Sequence, residues 1–185
     1  MDIAAGHELK TFERQKYEQV WDTEGYKTSS GDRVMRREAQ VRAHLRACGV
    51  NQVVSLGMGS GRLETALSDE FVFVGVDIAS NCRSPDCPVP LVVAGLWEDL
   101  DIGTYDAVIC TDVLEHIPEE FLPAVIANIE RLAPHGYLAI SLRESAKRFP
   151  WPLHLTVKPV EWWNEIIPFA EVREPISRGW GVAKY

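Results

Sequence analysis

The chain has 185 residues, 46% of them apolar and 25% charged, which is the profile of one globular domain and excludes a disordered or fibrous chain. Nineteen Lys and Arg stand against 27 Asp and Glu, and the formal net charge of −8 argues against broad electrostatic binding to duplex nucleic acid. No apolar run approaches the ~18 residues of a membrane span. The N-terminus, Met1-Asp2-Ile3-Ala4, has neither the basic start nor the apolar stretch of a secretory signal, so a cytoplasmic chain is expected.

Read in chain order, Glu8 to Trp21 suits a helix carrying Phe12, Tyr17, Val20 and Trp21. Thr28-Ser29-Ser30-Gly31-Asp32 reads as a loop or cap, and a second helix is expected from Asp32 to Cys48, stopped by Gly49. Its Arg33, Arg36, Arg37, Arg42 and Arg46 point in several directions and read as a solvated face. Short apolar strands follow at Val53–Leu56, Phe71–Asp77, Leu91–Ala94, Tyr105–Cys110 and Tyr137–Leu142. Helices are expected at Arg62–Glu70, from Pro118 to Leu132, and from Pro159 through Ile167. Glu171–Ser177 and Trp180–Tyr185 read as a hairpin turning at Arg178-Gly179. Strands apolar on both sides and separated by helices mean an α/β fold with a parallel sheet covered on both faces. The expected organisation is one domain over 1–185: a helical cap (1–48), a cofactor-binding core (50–142), and a substrate loop, last helix and closing hairpin (143–185). Cys48, Cys82, Cys87 and Cys110 form no C-x-x-C pair and read as free thiols. Cys82 and Cys87 flank a proline-containing loop, but two thiolates alone do not make a zinc site.

The first strand runs into Gly57-Met58-Gly59-Ser60-Gly61 and then a helix. Glycines there permit a tight turn and close approach of a ligand to the main chain. Asp77 ends the second strand twenty residues after Gly57, where an acid can accept hydrogen bonds from both ribose hydroxyls of a nucleoside. Together they place a nucleoside-containing cofactor at the carboxyl ends of the strands.

Val53 to Gly61, Val74-Gly75-Val76-Asp77-Ile78, the segment Asp106 to Pro118, and Leu132 to Leu138 resemble the successive motifs of class I S-adenosylmethionine-dependent methyltransferases. The branch most resembled is the small-molecule type that includes ubiquinone-biosynthesis O-methyltransferases, and similar short chains occur among phage and bacterial methyltransferase-like proteins. The resemblance implies a Rossmann-like methyltransferase fold: a mostly parallel seven-stranded sheet with an antiparallel C-terminal hairpin strand. It implies S-adenosylmethionine as cofactor, with Gly57, Met58, Gly59 and Gly61 around its methionine end and Asp77 and Ile78 at the ribose. Leu96 and Trp97 then fall at the adenine, and Cys110 and Asp112 beneath the sulfonium. His116 and Asp112 are the catalytic candidates, His116 as the base.

Two positions depart from the family. Ser55 stands where an acid normally faces the cofactor's amino group, so an aspartate there is expected to tighten binding. Leu96 stands where an acid often binds the adenine amino group. The helix usual between strands two and three gives way to a loop, Ala79–Pro90. In some ubiquinone-type and RNA 3′-end methyltransferases, acids and histidines from two regions hold a divalent metal. Asp112, Glu115, His116 and His154 can imitate that set, but Leu-Glu-His also occurs in metal-free relatives, and no metal is assigned. Residues 1–40 and 143–158 must build the substrate pocket; Trp21, Tyr26, Trp151 and, just beyond, Trp162 and Trp163 can cage an apolar or cationic group, with a core or lid role the bland reading for most of them. No Asp/Asn-Pro-Pro-Tyr/Phe motif and no Pro-Cys nucleophile is present, which weighs against DNA as substrate. The expected function is methyl transfer to a small-molecule acceptor at oxygen or nitrogen, with neither DNA nor membrane as partner. Rival readings are an inactive cofactor-binding partner subunit, motivated by Ser55 and Leu96, and a nicotinamide-dependent oxidoreductase. The third glycine, at Gly61, is one residue too early for the latter.

Overall fold

The computed structural model describes residues 3–174 and 179–185. Three helices lead: α1 (Ile3–Asp22), α2 (Tyr26–Met35) and α3 (Glu38–Cys48). Strand and helix then alternate through β1 (Gln52–Leu56), α4 (Arg62–Leu67), β2 (Val72–Asp77), β3 (Leu91–Val93) and β4 (Ala107–Thr111). Two short 3₁₀ turns, Leu114–His116 and Glu119–Phe121, precede α5 (Leu122–Leu132), β5 (His135–Ser141), α6 (Val160–Ile166) and β6 (Trp180–Lys184). No described helix is long and apolar enough to cross a membrane.

The sheet runs in the order β3-β2-β1-β4-β5-β6. The first five strands are parallel, and β6 pairs antiparallel with β5, Ala139 opposite Val182. This is a Rossmann-like sheet. The pleat sends Val54, Leu56, Val108 and Cys110 into a core shared with α5 and α6, while Val53, Ile109, Tyr137 and Ala139 enter a core shared with α3 and α4. Strand order reverses between β1 and β4, and the crevice beyond their carboxyl ends is where open α/β sheets bind ligands.

Several expected boundaries shift. Among the described residues the sheet has six strands, not seven. The segment before β6 adds only a bridge between Arg173 and Val182, and 175–178, which include the expected turn residue Arg178, lie outside the described residues. The expected loop at 28–32 is helical, and the helix instead breaks at Arg36-Arg37. Gly31 does not stop α2, because its missing side chain makes room for Arg62: a Cβ there would overlap the Arg62 side chain. Pro118 does not open the long helix. Its backbone is extended, and α5 starts at Leu122 with Pro123 in its first turn. The segment between β2 and β3 has no helix, as expected.

Candidate active site

The turn after β1 is built on left-handed glycines, with φ of 72° at Gly57, 59° at Gly59 and 74° at Gly61. Gly57 and Met58 donate their amides to the Val76 carbonyl, which ties the turn to the end of β2. Asp77 closes it: one carboxylate oxygen accepts from the Gly59 amide at 2.9 Å and the other from the Ala79 amide at 3.0 Å. Burial pushes the Asp77 carboxyl up, and these amides pull it back down.

A cleft of about 800 Å³, counting its open mouth, lies over this turn. Of the residues assigned from sequence, Gly57, Met58, Gly59, Asp77, Ile78, Leu96, Trp97, Asp112 and His116 line it. Ser55, Gly61 and Cys110 do not. Cys110 is 1% exposed, and Gly61 packs against Cys87. Ser55 donates to the buried Glu64 carboxylate at 2.6 Å. That carboxylate comes from the first turn of α4, touches the strand position Ser55, and does not line the cleft. Trp97 packs on Phe121 with ring centroids 4.9 Å apart, and its indole N–H is buried against Gly95 with no hydrogen-bond partner. An apolar wall of this kind suits a heterocycle.

The roof of the cleft comes from the N-terminal helices. Glu13, Tyr17 and Trp21 of α1 and Tyr26 and Arg33 of α2 line it. The spacing 13, 17, 21 along one helical face was the available signal for this role. Arg33, read from sequence as solvated, pairs with Asp112 at 3.3 Å. Of the aromatic residues expected to build a pocket, Trp21 and Tyr26 do line this cleft. Trp163 is 0% exposed in the core, and Trp151 packs edge-on against Phe12.

A second cavity lies on the far side of Asp112 and His116 and shares Tyr26, Arg33, Asp112 and His116 with the first. Ser141, Ser145, Arg148, Phe149 and His154 complete much of its wall. Asp112, at the junction, has φ of 62° and is the only described non-glycine residue with positive φ. Such backbone strain costs of order 1–3 kcal/mol and clusters at functional sites. His116 holds Tyr17 Oη to its Nδ1 at 2.7 Å. Burial drives its pKa down to about 3, so the imidazole is neutral and a weak base.

Asp112, Glu115, His116 and His154 each bring one ligand-type atom within 4.8 Å of the others. Glu115 is fully buried; one oxygen accepts from the Ser141 amide at 2.8 Å and the other has no partner. Burial and the neighbouring Asp112 carboxylate push the Glu115 carboxyl well up. The His154 Nδ1–H reaches the Arg143 carbonyl, and the Leu155 and Thr156 amides bind the Glu115 carbonyl, so this loop is pinned to the turn after β4. An unpartnered buried carboxylate oxygen near the Asp112 carboxylate and two imidazoles gives a mixed oxygen and nitrogen donor set, which suits a divalent metal.

The chain belongs to the methyltransferase-domain family, whose model matches residues 7–166. Three solved structures share its fold. The PH0226 protein of Pyrococcus horikoshii OT3 is 16% identical with a TM-score of 0.69, covering 92% of this chain and 97% of that one. Magnesium protoporphyrin IX methyltransferase from Synechocystis PCC 6803, solved with bound SAH, is 18% identical with a TM-score of 0.65, covering 93% and 98%. The methyltransferase domain of bacterial CtHen1-CN is 19% identical with a TM-score of 0.60, covering 80% and 97%. No curated protein matches the chain in sequence.

Proposed function

We propose that this chain transfers a methyl group from S-adenosylmethionine to a small acceptor, at oxygen or nitrogen. The observation that supports the reading is the meeting of two cavities at Asp112 and His116; in this reading the one over the glycine turn takes the donor and the other takes the acceptor. Structures of the same fold bind SAH and S-adenosylmethionine, as in the Synechocystis enzyme.

In this reading Gly57, Met58 and Gly59 take the methionine end, Asp77 and Ile78 the ribose, and Leu96 and Trp97 the adenine. Bound there, the cofactor supplies an electrophilic methyl group, which an acceptor lone pair takes as the carbon–sulfur bond breaks. Alignment and water exclusion supply much of the rate of such an in-line displacement, and the α1–α2 roof provides both. An acceptor proton leaves toward Asp112 or His116. Asp112 is the better placed of the two, since burial makes His116 a poor base on its own.

Calorimetric titration with SAH and with NAD tests the reading. SAH is expected to bind and NAD not to. Ligand at a hundred times its dissociation constant is expected to add about 2.7 kcal/mol to stability. Binding of NAD in place of SAH overturns it.

A further inference from the structure

We propose that the acceptor is a small single-ring molecule with an anionic end, a carboxylate or a phosphate, which Arg148 and Arg33 take in the second cavity while the acceptor's hydroxyl or amine meets the cofactor at Asp112. The proposal names the substrate class of the methyl-transfer reading and rests on it. That the second cavity holds an anion stands on its own geometry.

Charge is unevenly placed along the chain. Residues 27–37 and 143–148 carry seven Lys and Arg against two acids, although the net charge is −8. The fold brings these two segments together at one cavity of about 580 Å³, counting its open mouth. Arg33 reaches it from α2, and Glu144, Ser145, Arg148 and Phe149 reach it from the loop after β5. Arg148 ties the segments to each other. Its Nη1 donates to Ser29 Oγ at 3.4 Å and its Nη2 to the Glu24 carbonyl at 3.1 Å. Both acceptors are neutral, and Arg148 pairs with no carboxylate among the described residues. Its charge is therefore left for a ligand. Positive charge gathered at a cleft raises the local concentration of anions and speeds their entry.

The aromatic walls do not reverse this. Tyr26, Phe149 and Trp180 line the cavity, and ring faces ordinarily attract cations. Here the protein's own cations already occupy them. The guanidinium carbons of Arg148 and Arg33 lie 5.6 and 6.0 Å from the Tyr26 ring centroid, and that of Arg37 lies 4.3 Å from the Trp180 centroid. A substrate cation approaching these rings meets like charge, whereas a carboxylate or phosphate meets the planar donors that suit it. Asp112 sets the direction. It lies where the cavity joins the cofactor cleft and holds Arg33 Nε at 3.3 Å. It repels an anion from the junction, so the charged end of the acceptor lies at Arg148 and a neutral O–H or N–H lies at Asp112. There the acceptor's lone pair bonds the methyl carbon, the carbon–sulfur electron pair stays on sulfur, and the acceptor's proton passes to Asp112. Tyr26, Phe149 and Leu153 give the ring between the two ends an apolar wall.

The test is ligand-observed NMR titration of the full chain, with and without saturating SAH. The probes share one shape and differ in charge: 4-hydroxyphenylacetate, 4-hydroxybenzylphosphonate, the neutral 4-hydroxyphenylacetamide and the cationic tyramine. At least one acid is expected to bind about 10-fold tighter than the amide, with tyramine weakest, and the preference is expected to shrink in high salt. The two acids tell carboxylate from phosphate. Arg148→Gln is expected to lose the preference and Arg148→Lys to keep part of it. Both are expected to bind SAH as the parent does, because Arg148 does not line the cofactor cleft. An Arg148 that only ties the loop to α2 leaves the preference unchanged in Arg148→Gln, and that result overturns the proposal. So does equal affinity for acid and amide, tighter binding of tyramine, or no binding of either acid at millimolar concentration. A short single-stranded RNA that binds where neither acid does overturns it in favour of a nucleic-acid phosphate. If SAH fails to bind while an Arg148-dependent acid preference persists, the methyl-transfer reading falls and the anion site stands. If SAH binds and the preference is absent, the anion site falls and that reading stands.

Discussion

Ser55 Oγ donates to Glu64 Oε1 at 2.6 Å inside the protein, and both side chains are about 3% exposed. The pair joins the middle of the sheet to the first turn of the helix that follows the glycine turn. It moves a buried acid from the strand to the helix without removing it. The remaining Glu64 oxygen is buried and unpartnered.

This relationship reverses what the sequence implies for Ser55→Asp. From the strand alone, an aspartate restores a missing charge and tightens the cofactor. With Glu64 in contact, the substitution sets two carboxylates against each other in a site sealed from water. One must take up a proton or the pair must separate. Ser55→Asp is expected to lower stability by about 3 kcal/mol, the scale of an uncompensated buried charge, with no gain in SAH affinity. Chemical denaturation at neutral pH measures the first and calorimetry the second. Tighter SAH binding at unchanged stability overturns this account.

Glu64 itself makes stability depend on pH. Burial lifts its carboxyl to about 7, and the Ser55 hydrogen bond only partly opposes this. The folded state therefore holds a proton that the unfolded chain releases near pH 4.5. The stabilising contribution is complete below pH 4.5 and is lost as pH rises through about 7. Glu64→Gln removes the titration. The difference in unfolding free energy between variant and parent is expected to move in the variant's favour by roughly 3 kcal/mol between pH 4.5 and pH 7.5. A flat difference across that range shows that Glu64 does not titrate there.

The parallel core was legible because its signals are local. Apolar runs bounded by glycine or proline gave β1, β2, β4 and β5 within about two residues, and the Gly57–Gly61 turn with Asp77 gave the cleft. The roof was not legible. Thr28 to Asp32 has the composition of a loop yet is helical, because Tyr26 packs on Trp21 with ring centroids 5.1 Å apart and Gly31 receives Arg62. Those are tertiary contacts that override local preference. Arg33 looked solvated since nothing nearby in sequence is its partner, and Asp112 is 79 residues away. Glu64 carried no signal at all, as a glutamate in a first helical turn is ordinary.

Gly59 is held by its surroundings as well as by its φ of 59°. A Cβ there would sit 2.9 Å from the Trp21 ring. Left-handed backbone costs an alanine about 1–2 kcal/mol, and displacing the indole adds the loss of packing. Gly59→Ala is expected to destabilise the protein by about 2–3 kcal/mol. It is also expected to loosen α1, seen as faster amide exchange over residues 13–21 and a red-shifted tryptophan emission. Exchange unchanged in α1 means that Trp21 does not seat the helix on the turn.

Asp77 does two jobs, so its removal is expected to show in two measurements. Its carboxylate holds the Gly59 and Ala79 amides at 2.9 and 3.0 Å while only 7% exposed. Each oxygen has a second lone pair, which leaves room for ribose hydroxyls without releasing either amide. Asp77→Ala strands two buried donors, at about 1–3 kcal/mol each. The melting temperature is therefore expected to fall. SAH affinity is expected to fall by about 1.5–3 kcal/mol through lost bonds to a charged acceptor. The two effects separate if binding is measured well below the variant's melting temperature, where the protein is folded and the unfolded fraction takes no part. Asp77→Asn sharpens the result. It retains one acceptor oxygen but turns an NH₂ group toward an amide N–H, so it is expected to lose stability nearly as alanine does. Its remaining oxygen still accepts from one hydroxyl, so its SAH affinity is expected to lie between those of alanine and the parent. If both variants bind SAH as the parent does, Asp77 is a clasp for the glycine turn alone and the ribose lies elsewhere.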